Sequence, residues 1–312
     1  MPQPLTSHRP MLGILLKVVA IGLFTAMSGV IKATADHVPP GEAVFFRSFF
    51  AIPVIVAWLA VRGDLRHGLK ARNPMKHFWR GILGTSAMGL TFTGLGLLPL
   101  PEVTAIGYAT PIFTVLLAAL LLKEKIRLVR ISAVVLGLLG VLVMIWPRLG
   151  GGADLSDAAA IGALCILIAT IARAFVQIHI RKMVQTEHTA AIVFYFSLTA
   201  SLLSLLTLPF GWVVPNWEVT AMLIGAGLVG GVAQILVTSS YRFGPASMLA
   251  PYDYSSMLFA ILIGYFWFAE LPTLVMLIGA GLVIAGNIVV IWRESRLGLE
   301  RGKARALTDP KH

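Results

Sequence analysis

The sequence predicts an all-α polytopic membrane protein with ten transmembrane helices in two inverted five-helix repeats. Three observations lead to this fold class. Only 12% of the 312 residues are charged, whereas soluble domains carry about 25%. The mean hydropathy is +0.86, and apolar stretches of membrane-spanning length recur along the whole chain. Finally, the second half of the sequence repeats the first.

Ten apolar stretches have the length of about 20 residues that a helix needs to cross a bilayer. Their predicted bounds are 12–34, 41–61, 78–98, 102–122, 129–146, 158–180, 189–210, 219–241, 246–269 and 272–292. The first is too long for the apolar region of a signal peptide and is predicted to be the first span. The predicted organisation is a cytoplasmic tail (1–10), a first repeat (11–146), an outer loop (147–157), a second repeat (158–292) and a basic cytoplasmic tail (293–312).

The charged residues alternate between the two sides of the predicted bundle. Most of the 25 basic residues fall on one side if every span crosses, in the segments 62–80, 123–130, 181–182 and 293–312. Acidic residues, Glu42 among them, predominate on the other side. Basic loops stay in the cytoplasm, so both termini are predicted to be cytoplasmic, in the inner (plasma) membrane of a bacterium. The net charge of +11 then points to the lipid bilayer as partner and not to nucleic acid.

The internal repeat is visible when the sequence is shifted by 146 residues. This register matches spans three to five with spans eight to ten through the pairs Gly84–Gly230, Pro99–Pro245, Tyr108–Tyr254, Glu124–Glu270 and Gly140–Gly286. Each repeat has five spans, an odd number, so the second must lie upside down relative to the first. Inverted repeats are a transporter architecture, with the substrate site near the midplane between the halves.

A resemblance to a known family rests on the segment YATPIFTVLLAALLLKEKIRLVRISAVVLGLLGVLVMI (108–145). It resembles the signature of the EamA family of the drug/metabolite transporter (DMT) superfamily, whose positions are occupied here by Pro111, Glu124, Gly137 and Gly140. Residues 251–291 repeat the pattern less faithfully: Glu270 and Gly286 fit, but Met257 stands where the proline is expected.

The resemblance covers about 11–292, nearly the whole chain. It implies a polytopic carrier of small metabolites, often an exporter of amino acids or related compounds. It also implies a central cavity lined by the first four helices of each half. The substrate does not transfer from this resemblance.

Two arginines lie several residues from the ends of predicted spans, where charged residues usually face a bundle interior or an aqueous cavity. Arg47 is near the outer end of span two and Arg173 is in span six. Both are candidates for binding a substrate carboxylate, and snorkelling towards the headgroups is the alternative. Gln177 follows Arg173 by one helical turn, on the same face, and is a further candidate.

Asp253 is the only carboxylate that the sequence places in the interior of a span, away from its ends, in the inner half of span nine. Carboxylates at this depth tend to pair or to relay protons. Asp253 is therefore a candidate for binding a substrate amine or carrying a proton, and a static ion pair is the alternative. Lys17 and Arg173 are at comparable depth, so a partner from span one or six is expected. For Lys17 itself, snorkelling is favoured over a direct role in transport.

The remaining candidates are uncharged. Tyr108 and Tyr254 are repeat equivalents that can each supply a hydroxyl and an aromatic wall to a cavity, with packing as the alternative. Gln234 is a mid-span amide, and helix–helix hydrogen bonding is its alternative role. Glu124 and Glu270 lie in tight turns and are predicted to be capping residues.

Several other classes of protein are disfavoured. The glycine pattern GAGLVGG (225–231) lies inside an apolar span, where small residues permit close helix packing, whereas a dinucleotide site needs a preceding strand. The chain has no P-loop, its seven histidines show no metal-ligand spacing, and Cys165 is its only cysteine. No cofactor or metal is therefore predicted, and no cluster of catalytic groups indicates an enzyme. A channel with the same fold is not excluded by the sequence.

The sequence therefore predicts a secondary transporter that moves small organic metabolites by alternating access. The resemblance implies export of amino acids or related compounds. A zwitterion fits the residues, because it needs both signs of charge in the membrane interior. The alternative is an uptake or exchange carrier for S-adenosylmethionine, nucleoside-like or drug-like cationic compounds. Proton coupling and assembly as a homodimer are two further hypotheses.

Overall fold

The protein is all-helical in its computed structural model. The structure describes residues 10–63, 65–110, 112–114, 116–117, 128–149, 158–183, 186–243, 249–286 and 288–289. These residues form helices and their connections, and no strand occurs among them. The predicted tails, most of the predicted outer loop 147–157, and Pro111, Glu124 and Pro245 lie outside the described residues.

Helices occupy at least part of each predicted span. The first half contains α1 (Pro10–Thr34), α2 (Pro40–Phe49), α3 (Ala51–Val61), α4 (Pro74–Leu97), α5 (Leu100–Gly107) and α6 (Leu128–Leu149). The second half contains α7 (Ala158–Met183), α8 (Thr189–Leu205), α9 (Trp217–Phe243), a 3₁₀ turn (Ala250–Tyr254), α10 (Ser255–Phe268) and α11 (Leu274–Gly286). A short helix, Leu65–Gly68, lies in the loop before α4.

Within the described part of the chain, four helical segments are long and apolar enough to cross a membrane: Met11–Thr34, Pro40–Val61, Ala158–Ile180 and Trp217–Ser240. Shorter apolar helices include Thr189–Leu205 and Leu274–Gly286. The all-α polytopic membrane fold is thus confirmed, and the count of ten spans stays a prediction.

Prolines set the boundaries of several helices. Pro40 and Pro74 begin α2 and α4, because a proline at the first helical position gives up no hydrogen bond. Asn73 precedes α4 as its N-cap, and its side chain accepts a hydrogen bond from the backbone N–H of Lys76 at 3.4 Å. The second predicted span is interrupted at Phe50, since Pro53 has no N–H for the carbonyl four residues earlier.

Packing between the two halves follows the repeat. Helix α1 lies along α9, and α4 lies along α7. The two pairs correspond to each other under the repeat. Each combines the first helix of one repeat (α1 or α7) with the third span of the other (α9 or α4). Helix α2 also packs on α8, and α5 packs on α10. The halves therefore contact each other through corresponding surfaces, as a pseudo-two-fold relation requires.

Glycines allow these helices to approach closely. A Cβ at Gly94 of α4 would collide with Ile166 of α7, and a Cβ at Gly162 of α7 would lie 2.8 Å from Leu97. On α6 and α11, a Cβ at Gly140 would lie 2.6 Å from the carbonyl of Gly279. Small residues at helix contacts are typical of membrane bundles.

Candidate substrate-binding site

Asp253 and Lys17 form an ion pair in the predicted inner half of the bundle. Lys17 Nζ lies 2.8 Å from Asp253 Oδ1, with the lysine side chain 5% exposed and the aspartate side chain 49% exposed. The 3₁₀ turn that precedes α10 carries Asp253. The expected partner from span one is thus present. The preference for a snorkelling Lys17 is wrong, because its ammonium group is buried and paired.

Tyr108 and Tyr254 contact each other between α5 and α10. Their rings are T-shaped, with centroids 5.2 Å apart. Because they are repeat equivalents, the pseudo-two-fold axis passes close to this contact. The Tyr108 hydroxyl donates to the carbonyl of Tyr254 at 3.1 Å and lies 2.8 Å from Ser256 Oγ. The prediction of a cavity-facing hydroxyl is wrong for Tyr108, which is buried and joins the halves.

Arg173 of α7 is half-buried beside α5. Its Nη2 donates to Thr170 Oγ1 at 3.1 Å, and its Nε has no hydrogen-bond partner in the described part of the chain. A Cβ at Gly107 would lie 3.4 Å from Arg173 Nη2. One turn further on, Gln177 is exposed, and its Oε1 lies 3.5 Å from Thr114 Oγ1. These two polar side chains therefore remain accessible to a ligand.

Arg47 of α2 and Arg80 of α4 approach the same aromatic ring, that of Phe196 on α8. The guanidinium carbon lies 5.7 Å from the ring centroid for Arg47 and 4.0 Å for Arg80. The two arginines are 4% and 7% exposed, respectively. Nε and Nη1 of each have no hydrogen-bond partner, and neither arginine forms an ion pair, within the described residues. We call Arg47 and Arg80 the arginine pair.

Sequence reasoning missed Arg80 and Phe196. The charge pattern assigns Arg80 to the basic cytoplasmic segment, but the structure buries it in the first turns of α4. The signal in the sequence that could have located this site was the repeat pair Gly84–Gly230. A Cβ at Gly84 would collide with Arg80 Nη1, and a Cβ at its equivalent, Gly230, would lie 3.4 Å from Arg47 Nε. Each repeat-related glycine therefore makes room for one guanidinium group.

Glu42 is a buried carboxylate at the outer end of the second predicted span. It lies in the first turn of α2, is 1% exposed, and accepts a hydrogen bond at 3.2 Å from the N–H of Val213. Val213 belongs to the loop before α9. This contact joins the two halves at the predicted outer face.

Glu270 joins the halves at the same face. Its Oε2 accepts a hydrogen bond at 2.9 Å from the N–H of Leu100, at the start of α5, and its Oε1 lies 3.0 Å from Lys32 Nζ. Lys32 also donates to the carbonyl of Leu98 at 2.7 Å. The predicted capping role of Glu270 is confirmed by these contacts.

Glu187 makes the corresponding contact at the predicted cytoplasmic face. It accepts hydrogen bonds at 2.9 Å from the N–H groups of Arg72 and Asn73, just before α4, and lies 3.3 Å from His77 Nε2. Burial alone would raise the pKa of Glu187, but these donors outweigh it and hold the pKa below the ordinary carboxyl value of 4.5. Glu187 therefore fastens the start of α4 to the other half.

A cavity of about 300 Å³ opens towards the predicted outer face between α1, α2 and α4. Ile31, Asp36, Ala43 and Phe92 are among its lining residues. Ala43 precedes Arg47 by about one helical turn of α2. Gln234, the last of the predicted candidates, is half-buried on α9. Its backbone carbonyl accepts a hydrogen bond from the hydroxyl of Thr238.

Helices of membrane-spanning length, packing between equivalent halves, and charged side chains in the interior define a polytopic membrane transporter. A helix bundle that only anchors a protein in the lipid would not need several charged side chains in its interior. The chain belongs to the EamA-like transporter family, whose profile matches residues 11–146 and 160–292.

Transporters from several bacteria are similar over most of their length. An S-adenosylmethionine uptake transporter of Rickettsia prowazekii is 28% identical over 82% of this chain and 84% of its own. The pseudopaline exporter CntI of Pseudomonas aeruginosa is 26% identical over 89% of this chain and 95% of its own. A crystal structure with 21% sequence identity covers 91% of this chain and 97% of its own with a TM-score of 0.65, which supports the fold.

Proposed function

We propose that the protein is a secondary transporter that exports amino acids or related zwitterions by alternating access. One observation carries the proposal. The interior holds guanidinium groups without carboxylate partners among the described residues, together with a carboxylate that is half-exposed. A zwitterion brings one group of each sign and can satisfy both.

Each candidate residue has a proposed role. Arg47 and Arg173 provide positive charge for a substrate carboxylate. Asp253 binds the substrate amine or carries a proton for coupling, and either cation must then compete with Lys17 for its carboxylate. The 49% exposure of the Asp253 side chain leaves it accessible for this exchange. Tyr254, Gln177 and Gln234 shape the pocket around these charges, together with the buried ring of Tyr108.

Contacts between the halves at both faces support alternating access. Glu42 and Glu270 join the halves at the predicted outer face, and Glu187 joins them at the predicted cytoplasmic face. Opening one face while closing the other requires the contacts on one side to break and those on the other to hold. Transporters with inverted repeats move in this way around a central site.

A second substrate class has support of its own. One of the similar transporters is named for S-adenosylmethionine uptake, and the half-exposed Asp253 suits a cationic or nucleoside-like substrate. Uptake or exchange of such compounds is therefore the alternative. For both substrates we place the protein in the bacterial inner membrane with cytoplasmic termini, and assembly as a homodimer stays a prediction.

The test is counterflow in proteoliposomes. Purified protein is reconstituted into vesicles loaded with one unlabelled amino acid, and uptake of the same labelled compound is followed. A carrier accumulates label transiently, and Arg173→Gln should lose this accumulation. Arg62→Gln is the matched control, because Arg62 is exposed at the end of α3 and packs over Trp58 at 4.6 Å.

Three results would contradict the proposal. Flux that does not saturate and is not stimulated from the opposite side indicates a channel. Counterflow of S-adenosylmethionine alone, without amino acids, favours the alternative substrate class. Equal counterflow in Arg173→Gln and Arg62→Gln removes Arg173 from the site.

A further inference from the structure

The arginine pair is the least compensated group of charges in the described residues. Both side chains are buried at 4% and 7% exposure. Four of their nitrogen atoms, Nε and Nη1 of each, lack a hydrogen-bond partner. A buried charge without a partner is strongly unfavourable, so buried guanidinium groups are normally paired. The folded protein thus contains two buried positive charges that have no counterion among the described residues.

Among the described residues, no carboxylate lies within ion-pair distance of the arginine pair. Arg80 lies against Gly84 and Phe196, whereas Arg47 lies against Gly230 and the same ring. The described carboxylates that form ion pairs do so elsewhere, with Lys17, Lys32 and His77. The positive charge is therefore concentrated where α2, α4, α8 and α9 meet.

The geometry suits an organic acid. A guanidinium group presents its N–H donors as a planar fork that matches the two oxygens of a carboxylate. Contact with the Phe196 ring steadies both forks through cation–π attraction. Glycine at positions 84 and 230 lets each fork lie close to a helix backbone, where a larger residue would collide with it or press against it.

We propose that the arginine pair binds a second acidic group of the substrate, so that the protein prefers dicarboxylic zwitterions. This inference rests on the proposed function and divides its two arginines: Arg173 holds the carboxylate of the head group, and Arg47 joins Arg80 at the second acidic group. Arg173 belongs to the α7–α5 contact, whereas the arginine pair belongs to α2 and α4. Ala43, which lines the outer cavity, precedes Arg47 by about one turn of α2.

The experiment compares acids with their amides, which match in size and differ in charge. Binding of glutamate against glutamine, and of aspartate against asparagine, is measured by calorimetric titration of the purified full chain. The wild type should bind each acid roughly tenfold or more tightly than its amide, the factor expected for a charge-assisted hydrogen bond. Arg80→Gln should reduce this preference to about one, and Arg62→Gln should retain it.

The same titrations are made with Arg47→Gln, which provides the test if Arg80→Gln does not fold. It should lose the preference in the same way, because both guanidinium groups contact one acidic group. Chloride and sulfate are titrated in parallel. Displacement of the acid by either ion at equal concentration would reassign the site to inorganic anions and overturn the proposal.

Failure of this inference is separable from failure of the proposed function. Equal binding of acid and amide by the wild type overturns the role of the arginine pair and leaves the zwitterion carrier standing. The same holds if Arg80→Gln and Arg47→Gln keep the acid preference. Binding of neither acid nor amide overturns both proposals.

Discussion

The interior of this transporter contains two kinds of charged residue. Lys17, Lys32 and Glu187 each have a partner of opposite charge or a set of backbone contacts. Arg47 and Arg80 have neither within the described part of the chain, although they are at least as deeply buried as Lys32. The paired charges join the halves or fasten helix ends, which is a structural role. Among the described residues the arginine pair contacts the Phe196 ring but no counterion, which is expected of a binding site without its ligand.

The largest expected effect follows from removing the counterion of the buried Lys17. Asp253→Asn leaves the Lys17 ammonium without its counterion at 5% exposure. Loss of a buried partner costs about 3–5 kcal/mol, and the exposure of Asp253 reduces this to about 2 kcal/mol. Thermal unfolding of the purified variant should show the loss. The double variant Lys17→Met/Asp253→Asn should regain most of it, and failure to do so would contradict the pairing.

A smaller effect is expected at the predicted outer face. Glu270→Gln removes the charge from Lys32 and weakens the cap on Leu100, but Lys32 keeps its hydrogen bonds to the carbonyls of Leu95 and Leu98. We expect a loss of about 1 kcal/mol in unfolding free energy. Glu218→Gln, an exposed carboxylate at the start of α9, is the control. Equal stability of both variants would remove Glu270 from the contacts between the halves.

An effect of the same size, which depends on pH, is expected at the predicted cytoplasmic face. Because the pKa of Glu187 lies below 4.5, its stabilisation is complete above that pH and is lost as the pH falls through the native value. Glu187→Gln should lower stability by about 1 kcal/mol at pH 7, as the loss of a helix cap does. Unfolding midpoints for the wild type and the variant should converge in acid. A constant difference down to the lowest pH would show that ionisation is not involved.

Much of this arrangement was predictable from the sequence. Apolar length located the helices, and the repeat register identified Tyr108 and Tyr254, which meet near the axis. Helix depth suggested that a residue such as Lys17 pairs with Asp253. Depth along a helix follows from counting residues, so such inferences are sound.

Arg80 and Phe196 were not predicted, because their role depends on which helix neighbours which and on how each helix is rotated. Periodicity gives the position of a residue along its own helix and carries no information about the helix across from it. In addition, a charged residue near the end of a span is easily assigned to the adjacent loop when only the sequence is considered. Only the packed structure distinguishes a buried Arg80 from an exposed Arg62.

The most direct test of the distinction between paired and unpaired charges is the ligand-free melting temperature of two matched variants, Arg80→Met and Lys17→Met. Both replace a buried cation with a flexible apolar side chain. Replacing an unpaired buried charge should stabilise the protein by about 1–4 kcal/mol, so Arg80→Met should melt above the wild type. Lys17→Met removes the partner of Asp253 and should melt at a lower temperature than the wild type. A drop in melting temperature for Arg80→Met equal to that for Lys17→Met would show that Arg80 is structural and contradict the account.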